Sequence, residues 1–303
     1  MSQGKKISYI STITQSMRIP FLILTPVCVL LGTSTVIANK VEVNILFVIL
    51  ALLGALFAHI SVNSLNEYSD FKSGLDLTTN RTPFSGGSGS LPNHPEAAIA
   101  VLITGISSIV IISLIGIFFI WQHGTGIIPL GFIGLLLVVT YTNWINKYPW
   151  LCLVAPGLGF GLLMVVGTQF VVEGEYSTLS FLIAVIPFLL INNLLLLNQY
   201  PDIEADKMVG RRHFPITYGI EQSNKVYAAT IVLTIATIIV YIGLEILPLW
   251  SLLALLPIPL SLFSLSGAIK YGKNIGGYPQ YLAANVAVTV LVPLILGASI
   301  ILG

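Results

Sequence analysis

Residues 44–76 read NILFVILALLGALFAHISVNSLNEYSDFKSGLD, an apolar run that passes without Gly-Pro punctuation into amides and carboxylates. A helix needs roughly 20 mostly apolar residues to cross a bilayer, and runs of that length recur along the chain. Of the 303 residues, 55% are hydrophobic and only 8% charged, and the mean hydropathy is +0.94. A soluble domain carries about 25% charged residues. The runs are continuous rather than alternating, which disfavours a β-barrel. The expected fold is an all-α integral membrane protein forming one domain over residues 1–303. Nine transmembrane helices are expected.

The spans expected from hydropathy are about 18–37, 44–62, 97–121, 126–142, 150–172, 178–197, 224–244, 249–270 and 281–302. Prolines 26, 129, 156, 187, 257, 259 and 293 fall inside them, which membrane helices tolerate when neighbours satisfy the freed carbonyls. Met1–Gln15, with Lys5 and Lys6 but no small-residue cleavage site, reads as a cytosolic lead-in rather than a signal peptide. With the N-terminus inside, one face receives 12 of the 13 Lys and Arg. Only Lys40 lies opposite, beside Glu42, Glu173, Glu175 and Glu245. Cations favour the cytoplasmic face, so the tail and the long polar loops are expected in the cytosol and the C-terminus on the other side. Cys28 and Cys152 lie in apolar runs and read as packed thiols. The net charge of +1 gives no signal for nucleic acid.

In so apolar a chain two acidic clusters stand out, Asn66–Asp76 and Asn198–Lys207, each following an apolar run. Asn66 and Asp70 are four apart and share a helical face, and Asp76 follows beyond Gly74 on a bent segment. Asn198, Asp202 and Asp206 are spaced as one stripe over about two helical turns. These oxygen ligands, with no His or Cys among them, suit Mg²⁺ bridging carboxylates to phosphates and argue against zinc or copper. Lys72, Arg81, Lys147, Lys207, Arg211 and Arg212 flank the clusters and supply charge for clamping a diphosphate. Each cation alone is also what an ordinary cytosolic loop carries. The glycine-rich 81–90 segment offers backbone N–H groups to an anion, but a plain loop explains it as well. Tyr68, Tyr141, Asn143, Trp144, Lys147 and Tyr200 are candidates for shaping an acceptor end, with interface anchoring the competing explanation for the aromatics.

At these positions, Asn66-x3-Asp70-x5-Asp76 and Asn198-x3-Asp202-x3-Asp206, the chain resembles the UbiA superfamily of intramembrane prenyltransferases. Gly74 before Asp76, Arg18-Ile19-Pro20 with Pro26, Tyr141-Thr142, Gly167-Thr168 and Gly210-Arg211-Arg212 resemble its 1,4-dihydroxy-2-naphthoate (menaquinone) branch. Departures are Glu67 where many relatives carry Asp, no acidic residue in Trp150–Gly161, and Arg212-His213-Phe214 in place of a basic-Thr-Leu ending.

The resemblance implies that the nine helices surround a central pocket with cytosolic loops capping the active site, and that two Mg²⁺ are held by Asp70, Asp76, Asp202, Asp206, Asn66 and Asn198 against a prenyl diphosphate. Catalytic roles fall to Asp70, Asp76, Asp202, Asp206 and Lys147. Substrate contacts fall to Asn66, Lys72, Arg81, Tyr141, Asn198, Tyr200, Lys207 and Arg211. The implied partners are a prenyl diphosphate, a hydrophobic aromatic or lipid acceptor, and the bilayer. A UbiA-type terpene cyclase working without acceptor remains open. A transporter is disfavoured because the carboxylates sit at span ends rather than at the midplane. The single compact Asp/Gly motif of a CDP-alcohol phosphotransferase is absent, and four scattered His cannot form the histidine boxes of a di-iron desaturase.

Overall fold

A computed structural model describes the backbone from Ser2 to Gly303 and the side chains from Tyr9 onward. The Lys5 and Lys6 side chains of the lead-in lie outside the described residues. No strand occurs among the described residues. An N-terminal helix α1 (Ser2–Ser16) precedes α2 (Leu24–Ala38), α3 (Ile45–Ser73), α4 (Ala98–His123) and α5 (Ile128–Thr140). They are followed by α6 (Pro149–Glu173), α7 (Thr178–Asn198), the short α8 (Ile203–Met208), α9 (Phe214–Gly243), α10 (Ile258–Tyr271) and α11 (Pro279–Leu302).

Eight segments of the described chain are long and apolar enough to cross a membrane. One of them, Pro95–Thr140, is broken at Gly124 (φ 77°, ψ −167°) into α4 and α5, so nine rods build the bundle. The hydropathy spans are therefore met in number, with two differences. At 13 residues α5 covers about 20 Å, short of the roughly 30 Å hydrocarbon core, and it has no buried side chain. Helix α9 starts at Phe214 rather than 224. Its polar first turns, which read as loop, are helical on either side of a kink at Gly219 (φ 80°).

Local chemistry sets the ends of the helix that matters most. The Asn44 side chain accepts the Leu46 and Phe47 N–H groups at the start of α3 (3.0 and 3.4 Å), an N-cap. At the other end Gly74 takes φ 80°, which a glycine adopts without penalty. Nothing interrupts α3 between them, so it carries the first acidic motif two turns beyond its apolar run.

Successive rods are neighbours and α11 packs back on α2, closing a ring. The half made of α7, α9, α10 and α11 is filled by one apolar core that includes Leu190, Ile191, Leu197, Tyr227, Val292 and Leu296. Close approach is secured by small residues: a Cβ on Gly157 or Gly161 of α6 would lie 2.3 Å from the Phe188 backbone of α7. The Gly157 N–H, in a π-helical stretch (Gly157–Leu163), donates instead to Asn192 Oδ1 (2.7 Å). A buried ring of bonds ties α7, α9 and α11. Asn193 donates to the Tyr227 carbonyl (3.1 Å), Tyr227 OH to Asn285 (2.8 Å), and Asn285 to the Asn193 carbonyl (3.2 Å). The half made of α3–α6 is hollow. Its outer faces carry exposed Leu114, Trp121, Ile133 and Leu136, as lipid-facing positions of a multi-pass membrane protein should.

Candidate active site

The first motif is the last part of α3 and the turn after it. Asn66 and Asp70 share a face as the spacing requires, with Asn66 Nδ2 donating to Asp70 Oδ2 (2.9 Å) and Thr142 Oγ1 donating to Asn66 Oδ1 (3.1 Å). The turn at Gly74 then points Asp76, on a 3₁₀ turn (Leu75–Leu77), back into the same region, where it is 3% exposed.

The second motif is built differently. Asn198, Asp202 and Asp206 do not form one continuous helical stripe, because α7 ends at Asn198 and α8 begins at Ile203. Pro201 has no amide hydrogen and biases Tyr200 away from the helical region, and residues 199–202 form tight turns instead (Tyr200 N to Leu197 O, 3.1 Å; Asp202 N to Gln199 O, 3.2 Å). The Asp206 amide then donates to the Asp202 carbonyl (2.8 Å), bringing the two carboxylates to the same side again.

Arg211 joins the motifs. The chain reverses at Gly210 (φ 79°), and the guanidinium donates from Nη1 to Asp206 Oδ1 (2.8 Å) and from Nη2 to Asp70 Oδ1. His213 Nε2 lies 3.0 Å from Asp206 Oδ2. Both Asp206 oxygens are thus engaged, and the Asp70 and Asp206 carboxylates, far apart in sequence, lie across a single guanidinium.

The glycine-rich segment is a second link. The Gly86 N–H donates to Asp202 Oδ2 (3.0 Å), while Ser88 binds the fully buried Glu67 through its N–H (2.8 Å) and hydroxyl (2.7 Å). Arg18, in the left-handed region (φ 53°), reaches the same carboxylate from Nε (2.8 Å) and Nη2 (2.7 Å). Gly87 (φ 73°) sits where a Cβ would lie 3.0 Å from Asp76 Oδ1 and 3.3 Å from Glu67 Oε1. Glu67 therefore anchors α3, Arg18 and this loop together.

All six motif residues line the mouth of one cavity of about 670 Å³, together with Arg18, Gly86, Tyr141, Asn146, Arg211 and His213. Below the mouth the wall is apolar, drawn from α3, α4, α5 and α6. Gly116, Gly131 and Gly167 line it, and a Cβ on any of them would meet nothing within 4 Å. Burial, with the Glu67 and Asp70 charges, pushes the Asp76 carboxyl up to about 7, against the pull of Arg18 and Arg81. Burial and the neighbouring Asp206 likewise raise Asp202 to about 7. Burial also opposes ionisation of Asp206, but the His213 hydrogen bond and the Arg211 charge outweigh it and hold that carboxyl below the usual range.

The remaining residues singled out in the sequence fall elsewhere. Tyr200 is fully buried in the filled half, its OH donating to Asn224 Oδ1 (2.9 Å), and it has no face on the cavity. Lys147 and Lys207 are exposed outside the cavity lining. Lys72 lies over the Tyr68 ring at 5.7 Å. Arg81 donates to the Asp76 carbonyl (2.6 Å) from outside the cavity, and Asn143 accepts from Ser69 (2.7 Å). Asn146, His59 and Asn63 line the cavity without having been singled out. For His59 and Asn63 a signal existed: they continue the Asn66–Asp70 face of α3 at helical spacing.

Among the described residues, no three His, Cys, Asp or Glu side chains converge as a metal site by themselves. The donor chemistry nevertheless fits a hard cation completed by amide, phosphate and water oxygens. Asp76 Oδ2, Asn198 Oδ1 and Asp202 Oδ1 are buried without any hydrogen-bond partner, and an orphaned buried oxygen is costly unless something satisfies it.

Residues 25–274 match the model of the UbiA prenyltransferase family. The chain is 28% identical over 205 residues to the 1,4-dihydroxy-2-naphthoate octaprenyltransferase of Bacillus subtilis, covering 67% of this chain and 64% of that relative. A UbiA homolog from Aeropyrum pernix K1 superposes with a TM-score of 0.69 at 16% identity, over 93% of this chain and 98% of that one. A UbiA homolog from Archaeoglobus fulgidus bound to DMAPP and Mg²⁺ gives 0.62 at 14% identity, over 92% and 99%. At those identities the likeness to the two structures is one of fold.

Proposed function

Since the chain belongs to the UbiA prenyltransferase family, we propose that it transfers a prenyl group from a prenyl diphosphate to an aromatic acceptor of the hydroxynaphthoate class, releasing pyrophosphate. The observation that carries this reading is the meeting of the two acidic motifs, across Arg211, at the polar mouth of an otherwise apolar cavity. Support for the acceptor class comes from the Bacillus subtilis relative, and support for donor and cation from the Archaeoglobus fulgidus homolog.

Asp76, Asp202 and Asn198 would offer Mg²⁺ their unpartnered oxygens at the mouth, and Asp70, Asp206 and Asn66 would complete the acidic surroundings that hold it. Bound there, the cation neutralises the diphosphate and stabilises it as leaving group. Arg211 and Arg18 bring fixed positive charge to the same mouth, where low dielectric strengthens their pull on the departing pyrophosphate. The glycine loop holds Asp202 and Glu67 in place, fixing that charge pattern before substrate arrives. The apolar wall excludes water from the allylic cation as the C1–O bond breaks, so the acceptor carbon, held within about 3.5 Å, is the nucleophile that meets it, and the ring regains aromaticity by expelling the group on that carbon, a proton or a carboxyl lost as CO₂. Tyr141 faces the cavity beside the mouth, and burial pushes its phenol well above the usual range, so it acts as a neutral hydrogen-bonding wall. The mouth faces the cytosol in this reading, as the distribution of Lys and Arg favours.

The test is purified protein in lipid nanodiscs with Mg²⁺, prenyl diphosphates of graded length and a panel of acceptors including 1,4-dihydroxy-2-naphthoate, read by mass spectrometry. The expected result is a prenylated aromatic with stoichiometric pyrophosphate. No transfer to any acceptor, or a cyclic hydrocarbon formed without acceptor, would overturn it.

A further inference from the structure

The cavity face of α3 changes character along its length. Ala51, Gly54, Ala55 and Ala58 line the deep part, Asn63, Asn66 and Asp70 line the mouth, and His59 stands between them. The imidazole is 4% exposed. Its Nδ1 lies 2.9 Å from the Thr25 hydroxyl of α2. Its ring packs edge-to-face on Phe160, from the π-helical stretch of α6, with centroids 4.5 Å apart. Three helices thus fix one orientation of the ring. The other ring nitrogen, Nε2, makes no hydrogen bond to any described residue, although His59 lines the cavity. An ionisable side chain at membrane depth marks a substrate path or a binding site, and a ring nitrogen left unpaired on a cavity wall is free to meet a ligand.

Position narrows the ligand. His59 is seven residues below Asn66 and eleven below Asp70, about 10 and 16 Å along the helix axis. It is too deep to reach a diphosphate held at the mouth. An isoprenoid tail has no atom able to hydrogen-bond with it. An aromatic acceptor does: with its reacting carbon within about 3.5 Å of the donor C1, the ring extends inward from the mouth and carries a hydroxyl or carbonyl oxygen to this depth.

We infer that His59 is an acceptor-recognition residue, its Nε2 hydrogen-bonding a ring oxygen of the aromatic acceptor on the side away from the diphosphate. The inference rests on the proposed function and adds a specificity device to it. Sites built to hydrogen-bond a substrate oxygen discriminate strongly against molecules that lack it, so the cavity selects oxygenated aromatics over hydrocarbon-rich lipid acceptors. Thr25 and Phe160 are positioning residues for the ring.

The test is steady-state kinetics in nanodiscs with Mg²⁺, geranylgeranyl diphosphate and 1,4-dihydroxy-2-naphthoate as probes. His59→Phe should raise the acceptor KM by about tenfold or more while the donor KM stays within about twofold. His59→Gln, which keeps a hydrogen-bonding group near the Nε2 position, should recover most of the loss. A merely structural role would move both KM values and would not be rescued. Should His59→Phe fail to insert, Thr25→Val carries the test, because freeing Nδ1 loosens the ring and should raise the acceptor KM alone. An unchanged acceptor KM, or a donor KM that rises in parallel, overturns the inference. Wild-type protein that transfers no prenyl group to any acceptor overturns the proposed function instead, so the two failures are distinguishable.

Discussion

The two acidic motifs have the same opening spacing and opposite constructions. In the first, a span helix runs on through Asn66 and Asp70 and a glycine turn delivers Asp76. In the second, the span helix stops at Asn198, a proline turn follows, and a separate short helix delivers Asp206. Each contributes one carboxylate to Arg211, Asp70 from the first and Asp206 from the second. Each also leaves an oxygen with no partner, on Asp76 and on Asp202. We propose a division of labour within each motif: one aspartate is tied to Arg211 across the two halves of the bundle, and another keeps an oxygen free for a cation.

Breaking the unpartnered members should have the largest effect. Asp76→Asn or Asp202→Asn keeps the shape but removes the charge available to a cation, so pyrophosphate release should fall by about a thousandfold or more. Each variant should still insert and keep its helical circular dichroism. Breaking the shared member comes next. Arg211→Met leaves Asp70 and Asp206 buried and facing one another, which should cost about 3–5 kcal/mol of stability in thermal or denaturant unfolding and about a hundredfold in turnover. If Arg211→Met lost activity with no loss of stability, the holding role would be wrong.

How much of this contrast was visible in the sequence depended on whether the chain itself set the geometry. The spans, the shared face of Asn66 and Asp70 and the bend at Gly74 follow from hydropathy and local backbone preference. The break at Pro201 is equally local, yet the regular four-residue spacing of Asn198, Asp202 and Asp206 masks it, and the aromatic character that makes Tyr200 a candidate for the acceptor end serves the core instead. The exposed Lys147 and Lys207 were singled out for charge, which says nothing about reach. Glu67 and His213 stood out as departures from the family pattern, but their partners Arg18, Ser88 and Asp206 are fixed only by the fold. His59 is on the visible stripe, while the hydroxyl and ring that orient it come from two other helices.

Two smaller effects sharpen the comparison. Gly87→Ala would strain a residue at φ 73° and crowd Asp76 on the first motif only. It should cost about 1 kcal/mol of stability and about tenfold in turnover, whereas a change at Gly210, where a Cβ meets nothing, strains the backbone without touching a carboxylate.

The pH dependence comes last. Asp76 and Asp202 titrate in the folded protein near 7 rather than near their ordinary value. The metal-free fold therefore binds protons that the unfolded chain has released, and its stability falls as pH rises from about 4 to about 7. A divalent cation bound as proposed would replace those protons, so the gain in Tm on adding Mg²⁺ should be larger at about pH 8 than at about pH 6, by a few degrees. Asp76→Asn and Asp202→Asn should each flatten that difference.

Cation uptake in the presence of a non-hydrolysable prenyl thiodiphosphate tests the central claim most directly, measured by electron paramagnetic resonance of Mn²⁺ in the wild-type protein and in the Asp76→Asn and Asp202→Asn variants. With one diphosphate held from both sides, as proposed, each substitution alone should abolish the diphosphate-dependent uptake expected of the wild type. Undiminished uptake in both variants would contradict a site shared between the two motifs.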